Sequence, residues 1–285
     1  MKNDWPSLEN WLPSSESTKA DMAEINGRYS LKELMICAAA RLLEDNKIAV
    51  IGVGMPLAAA MLAQKISAPN LVIMFEGGSF APILEKLPNS VGGSLTLTGA
   101  LMHSSMYEIM EAAQRGMVDY TFLGGAQIDR YGNINSTMIG DDYYHPKVRL
   151  PGSGGANDFA SLSWQTLSIV PHDRRKFVQQ VDFITSPGYL TGPGAREAAG
   201  LPPGTGPYKV ISTLGVMGFD PLSKRMVVES LHSGVTREEI ADNTGFELLF
   251  ADSLRVTEDP SERELDILRN EVDPQGTIIG KLAAG

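Results

Sequence analysis

KIAVIGVGMPLAAAMLAQKISAPNLVIMFEGG, residues 47–78, decides the fold. Its two short runs, KIAVIG (Lys47–Gly52) and LVIMF (Leu71–Phe75), are apolar at successive rather than alternate positions. That is the pattern of strands buried on both faces. Between them Gly54 and Pro56 open a helical stretch over Leu57–Ile66. Proline in a first turn costs little, because its missing N–H would have no partner there. Strand, helix and strand in this order predict a parallel pair with the helix packed across it.

The pattern extends in both directions. Upstream, Ser30 with Glu33 three residues on forms a capping box ahead of a helix over Leu34–Leu43. Residues 1–28 read as an N-terminal extension, with Trp5, Pro6, Trp11, Leu12 and Pro13 either docking on a partner or lying in a loose tail. Downstream, Met106–Arg115 reads as a helix, and Tyr120–Gly125, Thr166–Val170 and Val181–Thr185 as strands. Tyr208–Thr213 and Arg225–Leu231 are expected to pair as edge strands, and Arg237–Thr244 and Ser261–Glu271 as helices. Two stretches dense in Gly, Pro, Asn and Asp, 127–157 and 186–207, read as long loops. The whole predicts one α/β domain over 29–285, an open, mostly parallel sheet flanked by helices.

Composition narrows the function. The 285 residues carry 34 acidic and 24 basic side chains, a net charge of −10. So acidic a chain is poorly suited to general binding of nucleic acid or an anionic membrane. The single cysteine, Cys37, excludes an intrachain disulfide and a Cys-based zinc site. No apolar run of signal-peptide length opens the chain and none is long enough to span a bilayer, so a cytoplasmic protein is expected.

Glu76 is the most informative residue. It closes the second strand and is followed by Gly77 and Gly78. Ligands of open parallel sheets bind beyond the carboxyl ends of the strands, and two glycines allow close approach of another backbone or a substrate. A carboxylate there can serve as base, metal ligand or nucleophile, or simply cap the next helix. Gly52 and Gly54 invite a dinucleotide reading, but position 57 is Leu where a third glycine belongs, and Pro56 occupies the helix start. Gly77-Gly78-Ser79-Phe80-Ala81 nearly matches a serine-hydrolase elbow, with Ala in its fifth position, and is read as chance. Asp141, Asp142 and His145 read as a solvated turn rather than a metal site, and no metal is expected.

Two further segments invite chemistry. Gly152-Ser153-Gly154-Gly155-Ala156-Asn157-Asp158 makes a loop whose N–H groups can converge on an anion or an oxyanion, or an ordinary turn. His172, Arg174, Arg175 and Lys176 form a local basic cluster that can hold phosphate groups, or a solvated face.

Together these segments resemble the beta subunits of glutaconate-type enzymes in the family I CoA-transferases. The likeness runs from about Tyr29 to Asp273. It includes the Glu76 turn, Pro88-Asn89-Ser90-Val91-Gly92, GGAQIDRYGNINSTMIGDDYYHPKVRLPGSGGAND (124–158), HDRRKF (172–177), VDFITSPGYLTGPGAREAAGLP (181–202) and NTGFEL (243–248). The resemblance implies an enzyme that moves CoA between carboxylic acids through a glutamyl-CoA thioester, with Glu76 as the attacking residue. It implies Gly154, Gly155 and Ala156 as oxyanion donors, and His172, Arg174, Arg175 and Lys176 as contacts for the CoA handle. It also implies an obligatory alpha-subunit partner and no separate cofactor, acyl-CoA and a carboxylic acid being the substrates. This chain reads Glu-Gly-Gly where glutaconate enzymes have Glu-Ser-Gly, a change that bears on acyl specificity. A CoA-thioester hydrolase or decarboxylase on the same fold, and a non-catalytic CoA-binding chain, are the alternatives; retention of Glu76 separates them from the transferase.

Overall fold

The structure, a computed structural model, describes residues 24, 25 and 27–280. Most of the 1–28 extension, including Trp5 and Trp11, lies outside the described residues. Its last part does not: Glu24–Ile25 pairs antiparallel with Tyr29–Ser30.

One ten-stranded sheet organises the chain. In chain order its strands are β1 (Ile48–Val50), β2 (Val72–Met74), β3 (Ser79–Phe80), β4 (Met102–His103) and β5 (Tyr120–Phe122). They continue with β6 (Gln165–Val170), β7 (Gly206–Ser212), β8 (Gly215–Phe219), β9 (Met226–Leu231) and β10 (Leu249–Val256). The spatial order is β10-β9-β8-β7-β6-β5-β1-β2-β3-β4. The central five, β7-β6-β5-β1-β2, are mutually parallel. Antiparallel hairpins extend the sheet on both sides, and β10 returns parallel to β9. The mostly parallel α/β sheet expected from residues 47–78 is present.

Alternation along the strands explains the layers. On β1, Ala49 joins one core and Val50 another; on β2, Ile73 and Phe75 face the first while Met74 faces the second. The first core is closed by helices α1 (Leu31–Ala40) and α2 (Met55–Ile66) and by the C-terminal turn at Leu268–Val272. The second is closed by α3 (Met106–Gln114) and α4 (Ala156–Leu162). Helix α1 begins with the expected capping box, in which Ser30 Oγ accepts from Glu33 N–H and the Glu33 carboxylate accepts from Ser30 N–H.

Beside the second core, two long loops cover β7–β9 over an apolar cluster that includes Ile128, Ile134, Phe177, Val210 and Met217. Side chains replace regular structure there. Asn133 donates to Asp129 and Leu190 O and accepts from Gly188 and Leu190 N–H, at 2.9–3.1 Å. Asn135 donates to Gln127 Oε1 and Met138 O. Both asparagines are buried, so these bonds meet polar groups that would otherwise stand unsatisfied. The loop over 127–157 also contains two short antiparallel ribbons, Gln127–Ile128 with Ile134–Asn135 and Met138–Ile139 with Val148–Arg149.

Two expectations need correction. Val181–Thr185 is not a strand: it is held by side chains, with Asp182 N–H donating to Gln127 Oε1 and Thr185 Oγ1 accepting from Ser136 N–H. Tyr208–Thr213 and Arg225–Leu231 do not pair with each other and are not edges. Strand β8, whose glycines hide it, lies between β7 and β9, and a Cβ on Gly215 would overlap Ser230 O.

Candidate active site

The period of two that splits the cores also aims Glu76. It follows Met74 by two residues, so its side chain leaves β2 on the face covered by α3 and α4. A tight turn stops the chain from running on: Gly78 N–H donates to Phe75 O, and Phe75 N–H donates to Ser79 O, both at 2.9 Å. Gly78 has φ +107°, and a Cβ there would overlap Ser104 O. Only glycine fits both constraints.

The loop at 152–156 reaches the same point from the other direction. Ser136 Oγ and Ser136 O bond Gly152 O and Gly152 N–H, and Asn157 Nδ2 donates to Thr185 O. These bonds anchor the loop to the covering layer. Gly155 N–H then donates to Glu76 Oε1 at 3.0 Å. A side chain at 155 has no room: its Cβ would stand 2.9 Å from Glu76 Oε1 and 3.0 Å from Phe159 Cε2, and would overlap the Met110 methyl. The other two amides of the predicted donor set behave differently. Ala156 N–H donates to Ser153 O at 2.9 Å, whereas Gly154 N–H has no acceptor among the described residues.

Glu76 opens on a cleft of about 110 Å³ lined by Gly52, Val91, Thr121, Leu123, Ser153 and Phe159, among others. Gly52, Glu76 and Leu123 follow the carboxyl ends of β1, β2 and β5. The chain leaves β1 toward β2 on one side and later returns to β5 on the other, so the cleft lies where the strand order reverses. A carboxylate so held, with a free amide beside it and apolar walls, can attack an electrophilic carbonyl.

The predicted basic cluster is a stretch of chain rather than one face. His172 is buried, stacked on Phe177 at 3.7 Å between centroids, with its ring nitrogens bonded to Ser212 Oγ and Thr244 Oγ1. Burial pushes its pKa down to about 3, against the pull of Asp173. Lys176 Nζ donates to Gly125 O at 2.6 Å, and burial lowers its pKa as well. Arg174 and Arg175 remain at the surface. They follow β6, three strand spacings from β2 along the same end of the sheet, roughly 14 Å.

The remaining sequence motifs fall elsewhere. Ser79 is buried and its hydroxyl donates to Thr96 O. Asp142 closes its own turn by accepting from Tyr144 N–H and pairing with His145 Nδ1. Among the described residues no group of three metal-ligating side chains occurs, and no helix is long and apolar enough to cross a membrane. Sequence reading missed Arg196. It is 2% exposed, and its guanidinium donates to Pro187 O, Gly188 O, Ala160 O, Ser161 O and Thr205 Oγ1. It ties α4 to the second loop, a role that an arginine amid AREAAG does not announce.

Comparison with known proteins supplies the family. The model of the coenzyme A transferase family matches residues 32–243. The beta subunit of 3-oxoadipate CoA-transferase from Pseudomonas knackmussii is 42% identical over 85% of this chain and 92% of its own length. The beta subunit of glutaconate CoA-transferase from Acidaminococcus fermentans is 36% identical over 88% and 95%. The crystal structure of glutaconate coenzyme A-transferase from the same organism superposes with a TM-score of 0.85, at 33% identity, covering 90% of this chain and 99% of that one. A more distant relative, the cholesterol ring-cleaving hydrolase IpdB subunit of Rhodococcus jostii, is 28% identical over 78% and 83%. On the family match and on both transferase relatives, this α/β chain with its strand-end glutamate belongs to the coenzyme A transferase family.

Proposed function

We propose that this chain is the glutamate-bearing beta subunit of a heteromeric CoA-transferase that exchanges CoA between carboxylic acids, dicarboxylates of the glutaconate or 3-oxoadipate kind foremost. The observation that carries the reading is the Gly155 N–H to Glu76 Oε1 bond at the strand-end cleft. That bond fixes one carboxylate oxygen and leaves Oε2 without a hydrogen bond among the described residues.

Glu76 Oε2 attacks the thioester carbonyl; the new C–O bond forms, the C–S bond breaks, and CoA leaves as thiolate. The acyl group is then an anhydride on Glu76. The thiolate attacks Cδ of Glu76, expelling the first acid as carboxylate and leaving a glutamyl-CoA thioester. A second carboxylate and the same thiolate repeat both steps in reverse, which restores Glu76. Each protein-bound state keeps the acyl activation energy that water would dissipate, so an enclosed site matters.

The amides divide the labour. Gly154 N–H is available to the oxyanion formed on the substrate carbonyl. Gly155 N–H already sits on Oε1, which carries the negative charge when thiolate attacks Cδ. Such a donor is typically worth about 2.7–4 kcal/mol in the transition state. Arg174 and Arg175 are the members of the basic cluster placed to meet CoA phosphates. The alpha subunit completes the acid pocket, and the chain alone is inactive. The reading is tested by turnover of the assembled complex: Glu76→Gln loses transferase activity, while a variant that retains it refutes the assignment. Release of free CoA without a second acid favours the hydrolase.

A further inference from the structure

Gly77 lies directly behind the nucleophile, and its own backbone does not require glycine, since it lies outside the left-handed region. What excludes a side chain is another part of the chain. A Cβ at 77 would stand 2.7 Å from Val91 O, 3.3 Å from Val91 C and 3.1 Å from Gly92 Cα. These are backbone atoms, so a side chain at 77 and this placement of residues 91 and 92 cannot coexist.

Val91 also lines the cleft that holds Glu76. Around it the chain is exposed at Asn89, Ser90 and Gly92 and held by few bonds. Gly93 N–H donates to Ser90 O at 3.2 Å, and Thr96 Oγ1 to Gly93 O at 2.8 Å and, weakly, to Val91 O at 3.4 Å. The segment can therefore shift, whereas the Glu76 turn is pinned through Gly78 to Ser104 N–H at 2.7 Å and to Ser104 Oγ at 3.0 Å. The contact between Gly77 and Val91 sets how far the movable wall closes on the fixed nucleophile.

We infer that Gly77 is a specificity-determining residue: by lacking a side chain it lets Val91 close one wall of the acyl cleft, which limits the length of acyl group accepted. This rests on the reading of Glu76 as nucleophile. A side chain at 77 lifts residues 91 and 92 outward and lengthens the cleft without altering the reacting groups. The effect appears mainly in discrimination between acyl groups, because the space for one methylene is what changes.

The test uses the complex of this chain with its alpha subunit, with succinyl-, glutaryl- and adipyl-CoA as donors and acetate as acceptor. The readout is the ratio of kcat/KM for adipyl-CoA to that for succinyl-CoA. Gly77→Ser raises this ratio about ten-fold, the low end for one methylene in a pocket. Val91→Ala raises it too, and Val91→Ile lowers it. The rise for Gly77→Ser comes mostly from KM of the longer donor, since the nucleophile is untouched. An equal fall in kcat for all three donors, or an unchanged ratio, overturns the inference. If Gly77→Ser does not assemble, Gly77→Ala and the two Val91 variants carry the test: opposite shifts for Ala and Ile at 91 support it, and parallel or absent shifts overturn it. Failure to find a covalent adduct on wild-type Glu76 would instead refute the nucleophile assignment, whatever the ratios show.

Discussion

Gly155 and Glu76 stand 79 positions apart, and the amide of the first donates a 3.0 Å hydrogen bond to the carboxylate of the second. One comes from the loop that starts α4 and the other from the turn after β2. The bond joins a rigid strand end to a loop anchored in the covering layer. It gives the nucleophile one orientation before substrate arrives, and preorganisation of this kind is where catalysis gains most from a fold.

Gly155→Ala tests that orientation. The added methyl meets Glu76, Met110 and Phe159 together, so it displaces the carboxylate or the loop. The expected outcome is a fall in kcat of about 100-fold, the scale for losing one such donor, with a stability loss of about 1–3 kcal/mol from overpacking. Steady-state kinetics and urea unfolding of the assembled complex check both.

Gly78→Ala tests the turn. Its φ of +107° and the closeness of Ser104 O leave no accommodation for a side chain. The β2–β3 hairpin is expected to distort, with about 2–4 kcal/mol lost and activity abolished. A variant with native thermal stability would contradict this account of the turn.

Much of this was legible in the sequence, and what was not has physical causes. The unit β1-α2-β2 declares itself because its strands are apolar on both faces and its helix begins with Gly and Pro. Glu76 declares itself as a charge at the end of an apolar run. The strand β8 was hidden because Gly215 and Gly218 carry no β-strand signal, although neighbouring strands need the space they leave. VDFIT misled because an apolar run buried by side-chain hydrogen bonds has the same composition as one buried by a ladder. The basic cluster misled because composition does not reveal which way a side chain points. His172 and Lys176 turn inward, and only packing against Phe177 and Gly125 shows it.

Arg196 is a second structural claim open to test. Five oxygens surround its guanidinium, none of them a carboxylate. Arg196→Lys cannot reach all five, which leaves buried carbonyls unsatisfied at a cost of roughly 3 kcal/mol. Because Ala160 and Ser161 belong to α4, activity should fall alongside stability. Unfolding by urea with parallel assays checks the pairing of the two effects.

Acid should weaken the fold through its buried histidines. Burial lowers His172 to about 3 and His232 to about 4, from an ordinary 6.5. The native rings therefore stay neutral while the unfolded chain takes up protons as pH falls below 6.5. Stability is full above that value and declines between it and about pH 4, by up to about 1.4 kcal/mol per pH unit for each ring. The urea midpoint at about pH 5 should lie well below that at about pH 7, and His172→Asn with His232→Asn should flatten the slope. An unchanged slope in the double variant would contradict the assignment.

The covalent step itself can be weighed. The assembled complex is incubated with acyl-CoA and no acceptor acid, quenched, and the mass of this chain is measured intact and after digestion. The account predicts an added CoA on the peptide containing Glu76, lost on treatment with hydroxylamine and absent from Glu76→Gln. An active complex whose Glu76 peptide stays unmodified, or an adduct on any other residue, would contradict it.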